Sequence, residues 1–156
     1  INTSGAFCDV DSEDRGIGEA IAESLLVMRQ LTVPFIAIFI GEGGSGGALA
    51  LAMGNEVWML ENTMYSVLSP EGFASILWKD SSRSDEAAKV MKLTPDDLFS
   101  LDVIDKIIME TRRKVARKSD DVMLELKQEL SAKLKELKQL TPAELVEQRQ
   151  KRFRNY

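Results

Sequence analysis

The stretch Val33-Pro34-Phe35-Ile36-Ala37-Ile38-Phe39-Ile40 leads into Gly41-Glu42-Gly43-Gly44-Ser45-Gly46-Gly47 and then into Ala48-Leu49-Ala50-Leu51-Ala52-Met53-Gly54. The first segment is an apolar run of strand length, and the third is apolar throughout, as in a buried helix. Between them, five of seven residues are glycines. Glycines let a ligand approach the backbone, and the first amides of a helix lack internal partners. This order therefore predicts a strand, an anion-binding loop and a buried helix.

The composition limits the class of protein and its chemistry. The chain has 156 residues, 44% of them apolar and 29% charged, so we expect one soluble domain of ordinary size. A net charge of −5 argues against general nucleic-acid binding. Cys8 is the only cysteine and histidine is absent, which excludes a disulfide framework, a histidine or cysteine metal site and a catalytic triad built from this chain alone. Because no long apolar run is present, we predict no membrane span and a cytoplasmic location.

Hydrophobic periodicity predicts strands alternating with helices. We expect the first helix to run from an N-cap at Ser12 to about Gln30, with one apolar face at helical spacing: Ile17, Ile21, Leu25 and Met28. Further strands are expected over 56–60, 64–68 and 103–109, and further helices over 73–78 and 84–92 and from Thr94-Pro95 onward. This alternation predicts an α/β fold with a largely parallel, covered sheet that binds ligands at the carboxyl ends of its strands.

The composition changes after residue 110, and we divide the chain there. Residues 1–110 are expected to form the compact part, and residues 111–156 a C-terminal helical region. This region begins with a basic run over 112–118, which either contacts an anionic partner or is a solvated face. A capping-box spacing at Thr141 and Glu144 predicts a last helix toward Phe153. The helix before it carries an apolar stripe, which we expect to serve packing: Met123, Leu126, Leu130, Leu134 and Leu137.

Two phosphate-binding patterns compete for the glycine loop. A P-loop is disfavoured, because Gly47 and Ala48 stand where lysine and serine or threonine are required. The spacing Gly41-x-Gly43-x-x-Gly46 matches a dinucleotide fingerprint, with Glu61 as the acidic residue, so an NAD(P)-binding Rossmann-type module is the alternative. Against it, the helix after the loop has no polar face, and we expect that helix to be enclosed on all sides.

Two further interpretations involve catalysis. An oxyanion hole needs backbone amides but neither an acid nor a base, which suits a chain without histidine. Ser45 could instead be a nucleophile with Lys79 as its base, although nothing in the sequence brings these two residues together. For Ser45 the simpler role is that of a hydroxyl in a turn.

The glycine loop also carries a family resemblance. Ile40-Gly41-Glu42-Gly43-Gly44-Ser45-Gly46-Gly47-Ala48-Leu49, continued by Tyr65-Ser66-Val67-Leu68-Ser69-Pro70-Glu71-Gly72-Phe73-Ala74-Ser75-Ile76-Leu77-Trp78-Lys79, resembles the carboxyltransferase alpha subunit of bacterial acetyl-coenzyme A carboxylase. The likeness extends through Arg15-Gly16, 19–22 and 150–153, and it is strongest over 33–79. It implies the second half of a crotonase-like (ClpP/crotonase) α/β fold with a C-terminal helical extension. Because Ile1 is not an initiator, we expect a piece of a longer protein.

The resemblance also implies an activity. The family moves carboxylate from N-carboxybiotin, held on a separate biotin carboxyl carrier protein, to acetyl-CoA, giving malonyl-CoA in the first step of fatty acid synthesis. By similarity, Gly46 and Gly47 form the hole for the ureido oxygen, and Gly43, Gly44 and Ser45 bind substrate. A carboxyltransferase beta subunit would supply a second hole and the family's zinc, and the subunits would associate in a hetero-oligomer. Biotin itself can remove the substrate proton, so no protein base is required. A methyl group at Gly47 is expected to meet the ureido ring.

Two segments depart from the family pattern. The family usually has Asp-Thr-Pro-Gly-Ala-Tyr-Pro-Gly where this chain reads Asn2-Thr3-Ser4-Gly5-Ala6-Phe7-Cys8-Asp9, a loop that should lie near the substrates. The basic run over 112–118 replaces a Gly-Gly-Ala-His stretch, so no role of that histidine transfers to this chain.

Overall fold

The structure, a computed structural model, describes residues 1–112 and 115–154. Its helices are α1 (Val10–Asp14), α2 (Ile17–Gln30), α3 (Ser45–Leu51), α4 (Pro70–Trp78), α5 (Ser84–Val90), α6 (Pro95–Ser100), α7 (Ser119–Leu137) and α8 (Pro142–Arg152), with a 3-10 turn at Ser81–Arg83. Its strands are β1 (Ile36–Phe39), β2 (Glu42–Gly44), β3 (Glu56–Leu60), β4 (Met64–Ser66), β5 (Lys106–Ile108), β6 (Thr111–Arg112) and β7 (Val115–Ala116). Strands therefore alternate with helices through most of the chain, as expected.

The central sheet is parallel and covered on both faces. Its strand order is β1-β3-β5, with Ala37 paired to Val57 and Met59 to Ile107. Because side chains alternate along a strand, Ala37 and Phe39 pack toward α3 and α6, whereas Ile36 and Ile38 pack toward α7. The glycine loop follows β1, so it lies at the carboxyl end of the sheet.

The glycine loop is itself partly a strand, which the sequence did not predict. Residues Glu42–Gly44 form β2, which pairs in parallel with β4, and Gly43 forms a further bridge with Thr3. Thr3 N donates to Glu42 O over 2.8 Å, and Gly44 N donates to Thr3 O over 2.9 Å. The N-terminal segment and the glycine loop are therefore joined by main-chain hydrogen bonds.

The first predicted helix is two helices. Asp9, not Ser12, is the N-cap of α1, since its carboxylate accepts the Ser12 amide over 2.8 Å. Gly16 has a φ of 76°, a left-handed conformation that separates α1 from α2. The apolar face predicted for 17–28 is confirmed, because its four members are half-buried and the residues between them are exposed.

Other helix and strand boundaries differ from the predicted ones for local reasons. Helix α4 begins at Pro70, not at Phe73, because Ser69 caps it by accepting the Gly72 amide over 3.1 Å. The strands expected over 33–40, 64–68 and 103–109 are shorter at their ends. The strand over 56–60, the Thr94 cap of α6 and the capping box at Thr141 and Glu144 are confirmed.

Helix α7 covers the outer face of the sheet. Val122, Leu126 and Leu130 pack against Trp58 and Ile108. The packing role of the stripe is confirmed from Leu126 on, but Met123 is 46% exposed and Val122 takes its place in the core.

Helix α8 is tied to the amino ends of the strands. Asn55 Nδ2 donates to Leu145 O over 3.0 Å, and Arg152 Nη1 donates to both carboxylate oxygens of Asp105. Both tail helices therefore pack on the part before residue 110. The division of the chain into two regions stays a prediction.

Candidate functional site

The site is built from two segments that interlock. A Cβ at Gly44 would lie 2.2 Å from Ser4 O, and a Cβ at Gly5 would lie 2.6 Å from Ser45 Cβ. Each glycine therefore makes room for the serine of the other segment. The loop over 2–9, which we expect near the substrates, begins beside the glycine loop, with Gly5 at a φ of 114°.

The turn from β2 into α3 places two adjacent glycines at the start of a helix. Ser45 has a φ of 60°, which is unusual for a residue with a side chain, and it begins α3. Gly46 and Gly47 follow in the first turn, where the backbone N–H groups have no acceptor one turn earlier in the helix. The sequence motif thus gives two adjacent amides at the start of a helix and at the carboxyl end of β1.

The protein surroundings of these two glycines differ. A Cβ at Gly47 would lie 3.1 Å from Ala6 N and 3.4 Å from Gly5 C, so a methyl group there would meet the N-terminal loop. A Cβ at Gly46 would approach only the Ile21 side chain, at 3.3 Å. Because the end of a side chain can move, Gly46 is the less constrained of the two.

Three of the five predicted site residues line one cavity of about 370 Å3. Gly43, Gly44 and Ser45 form its floor, although the Gly44 amide is already bonded to Thr3 O. The other walls come from residues that the sequence did not single out, among them Ser4, Ser66 and Ser69. The Ser69-Pro70 cap signal could have indicated Ser69, whereas Ser4 had no signal of its own.

Gly47 lines a different, mostly apolar groove of about 560 Å3 between α2 and α3. Leu51 of α3 also lines this groove and is 50% exposed. The prediction that this helix is enclosed on all sides is therefore wrong for the described chain. The buried positions of α3 are Ala48 and Ala50, and Ala50 also borders this groove.

Glu61 argues against the dinucleotide alternative. Its Oε2 accepts the amides of Glu110 over 2.7 Å and Thr111 over 2.6 Å, and its Oε1 accepts the Thr111 hydroxyl over 2.7 Å. These bonds, led by the one from the Thr111 hydroxyl, lower the pKa of Glu61 below its ordinary value. Both oxygens are occupied, so this carboxylate connects the ends of β3 and β5 and does not face the glycine loop as a ribose ligand would.

The structure also separates Ser45 from Lys79. Ser45 lies by Ser69 and Pro70 at the start of α4, while Lys79 ends that helix and donates from Nζ to Ile76 O over 2.9 Å. A nine-residue helix is roughly 13 Å long. No serine–lysine pair forms, and the hydrolase interpretation is not supported.

The basic run is only partly free to meet an anion. Arg117 donates to Met109 O over 2.8 Å and pairs with Glu125 at 2.5 Å. Arg112 and Lys118 are exposed. Two further members of the predicted run, Arg113 and Lys114, lie outside the described residues.

Residues 1–112 and 115–154 form neither a metal-binding cluster nor a membrane-spanning helix. No group of three or more histidine, cysteine, aspartate or glutamate side chains there could hold a metal ion. None of the helices in these ranges is both long and apolar enough to cross a membrane.

Sequence comparisons agree with the resemblance. The family described as acetyl coenzyme A carboxylase carboxyltransferase-like matches residues 1–156. The alpha subunit of acetyl-coenzyme A carboxylase carboxyl transferase from Streptococcus gordonii is 55% identical over 156 residues, which are 100% of this chain and 59% of the relative. The subunit from Streptococcus pneumoniae strain CGSP14 is also 55% identical and is covered to 60%. The chain thus spans about three-fifths of the length of these relatives.

Solved structures with the same fold include several enzymes. The Pseudomonas malonate decarboxylase hetero-dimer matches with a TM-score of 0.71 at 19% identity, covering 88% of this chain and 55% of that chain. Transcarboxylase 12S matches with a TM-score of 0.63 at 20% identity over 70% of this chain and 23% of that chain. A probable enoyl-CoA hydratase from Mycobacterium thermoresistibile gives 0.54 at 14% identity, over 95% of this chain and 60% of that chain. The fold is crotonase-like, as expected.

Proposed function

The chain belongs to the acetyl-coenzyme A carboxylase carboxyltransferase-like family, and we propose that it supplies the carboxybiotin side of the transfer of carboxylate to acetyl-CoA. In this proposal, the amides of Gly46 and Gly47 form the oxyanion hole, and Gly43, Gly44 and Ser45 shape the pocket beside it. The observation that carries the proposal is the position of these two amides, in the first turn of α3 and at the carboxyl end of β1.

The residues fit the head group of carboxybiotin. A cavity of about 370 Å3 is within the size range of small-molecule sites, and it adjoins the first turn of α3. When bound, carboxybiotin supplies the carboxyl group that is transferred. The chain's own part is to hold amide donors where negative charge develops on the ureido oxygen, which stabilises the transition state more than the ground state.

The proposed reaction needs other chains. The chain contains no histidine, and the proposal assigns no protein base to it. We propose that a carboxyltransferase beta subunit holds the acetyl-CoA enolate, that a biotin carboxyl carrier protein brings the donor, and that the subunits associate in a hetero-oligomer. The relatives are named as alpha subunits, which supports this division of labour. The cytoplasmic location expected from the sequence belongs to the same proposal.

A reconstitution experiment tests the partner requirement. We expect the full-length subunit alone to form no malonyl-CoA and to become active when the beta subunit and carboxylated carrier protein are added. Robust malonyl-CoA decarboxylation with biotin by the isolated subunit would contradict the proposal, because one chain would then hold both oxyanions.

A matched pair of variants tests the amides. Gly46→Pro removes the N–H, while Gly46→Ala keeps it and adds only a methyl group near Ile21. Loss of one oxyanion donor typically costs about 2.7 to 4 kcal/mol, so Gly46→Pro should lower turnover about 100- to 1,000-fold. Gly46→Ala should lower it far less. Equal turnover of the two variants, with melting temperatures near that of the wild type, would show that the Gly46 amide is not a donor.

A further inference from the structure

The cavity beside the glycine loop has a mixed polar and apolar lining. Met64, Val67 and Leu68 contribute apolar surface, and four serines contribute hydroxyls: Ser4, Ser45, Ser66 and Ser69. Two of the four hydroxyls are already used by the protein. Ser66 Oγ donates to Leu68 O over 2.6 Å, and Ser69 Oγ accepts the Gly72 amide over 3.1 Å.

The other two hydroxyls have no such role. Within the described part of the chain, neither the Ser4 nor the Ser45 hydroxyl has a hydrogen-bond partner. These serines belong to the two segments that interlock through Gly44 and Gly5, so main-chain hydrogen bonds and close packing fix their backbones relative to each other. Two hydroxyls without a partner among the described residues therefore line the same cavity.

We propose that the hydroxyls of Ser4 and Ser45 bind the oxygens of the carboxylated ureido head of the donor and so orient it for transfer. This inference rests on the proposed function. A hydroxyl can donate one hydrogen bond to a carboxylate or urea oxygen. The apolar residues of the lining can contact the hydrocarbon and thioether part of the ring. The one acid of the lining, Glu42, is exposed, so its charge is screened by solvent.

The two hydroxyls and the amides of Gly46 and Gly47 have different proposed roles on the same head group. The amides act on the charge that develops on the ureido oxygen. Ser4 and Ser45 are then binding residues that act before the charge develops, and their loss should appear in KM more than in kcat.

The test uses the full-length subunit assembled with its beta subunit, and carboxylated carrier protein as the varied substrate. Ser4→Ala and Ser45→Ala should each raise the KM for the carrier about three- to tenfold, as for the loss of one hydrogen bond, with a smaller change in kcat. The KM for acetyl-CoA should stay at the wild-type value. Ser100→Ala is the matched control, because its hydroxyl bonds only to Asp97 O on the surface of α6.

Two outcomes separate the inference from the function on which it rests. If the wild-type complex transfers carboxylate but both variants keep the wild-type KM for the carrier, the inference is wrong and the proposed function stands. If the wild-type complex transfers no carboxylate, the proposed function itself fails. A rise in the KM for acetyl-CoA of the same size as that for the carrier would also overturn the inference, since the hydroxyls would then not be specific to the donor.

Discussion

Replacing Arg149 should destabilise the fold strongly, although it is a charged residue in a polar helix. Arg149 is fully buried and has no acidic partner in the described structure. Its guanidinium instead donates to four main-chain carbonyls and to Asn55 Oδ1. The acceptors and distances are Met28 O at 3.0 Å, Arg29 O at 3.3 Å, Leu31 O at 2.7 Å, Val33 O at 3.1 Å and Asn55 Oδ1 at 2.8 Å.

These hydrogen bonds join Arg149 to the C-terminal end of α2 and to the turn that follows it. The carbonyls of Met28 and Arg29 belong to the last turn of α2, where helix carbonyls lack partners and the dipole is negative, so a cation is favourable there. Burial lowers the pKa of the Arg149 guanidinium below its ordinary value. Arg149 therefore caps the C-terminal end of α2 and holds the turn into β1 in place. Desolvation of its charge opposes this stabilisation.

The expected decrease in the free energy of unfolding follows from the loss of these hydrogen bonds. In Arg149→Met, removal of the buried charge offsets part of the cost, but several acceptors lose their donor. Hydrogen bonds to charged groups contribute about 1.5 to 3 kcal/mol each and do not add when they share one group. We expect a loss of about 3 kcal/mol in the free energy of unfolding, typical of a broken buried network. At about 2 to 4 °C per kcal/mol, the melting temperature should fall by about 6 to 12 °C.

The assay is thermal melting of the full-length subunit, followed by circular dichroism. Lys151→Met is the control, because Lys151 pairs with Glu147 at 2.8 Å on the exposed side of the same helix and such pairs contribute little. Its melting temperature should change by less than about 2 °C. If Arg149→Met melts within 2 °C of the wild type, the acceptors do not depend on Arg149 and the reasoning fails.

Three further predictions concern Glu61, the basic run and α8. The folded-state pKa of Glu61 is below its ordinary value of 4.5. Its contribution to stability is therefore present above about pH 4.5 and is lost as the pH falls through the lower value. The difference in melting temperature between wild type and Glu61→Gln should accordingly shrink from pH 6 to pH 3. If Arg112 and Lys118 meet an anionic partner, changing both to serine should raise the KM for acetyl-CoA or carrier protein at low salt. A KM equal to the wild-type value at every salt concentration would identify a solvated face. Thr141→Ala should lower stability by about 1 kcal/mol through loss of the cap that accepts the Glu144 amide, and an unchanged urea midpoint would contradict this.

The elements that could be predicted are those with local side-chain signals. Strand β3 is apolar at nearly every position, and the caps Thr94 and Thr141 each precede a proline at the first helical position. Such signals act over three or four residues, so they do not depend on where the rest of the chain lies. The same applies to the glycine loop, whose predicted position directly after an apolar strand is confirmed.

The elements that could not be predicted depend on distant partners. Strand β2 contains two glycines and has no strand propensity, and it forms because it pairs with β4 and with Thr3, both of which are distant in the sequence. Arg149 looks like one more surface charge in a polar helix, since its main-chain acceptors lie 116 to 121 residues earlier in the sequence. No pattern in the sequence marks a carbonyl as an acceptor.

The glycines of the loop are required for different physical reasons, whereas the sequence pattern alone suggests one common reason. A Cβ at Gly43 would lie 2.1 Å from the Phe39 ring, and a Cβ at Gly44 would lie 2.2 Å from Ser4 O, so both are required by the packing of the protein itself. Gly46 is different, because a Cβ there would approach only a movable side chain. Alanine at Gly44 must displace backbone and should disturb folding together with activity, whereas alanine at Gly46 should leave the fold intact. Substitution at Gly46 is therefore the change in this loop that can separate the chemistry of its amide from the stability of the turn that presents it.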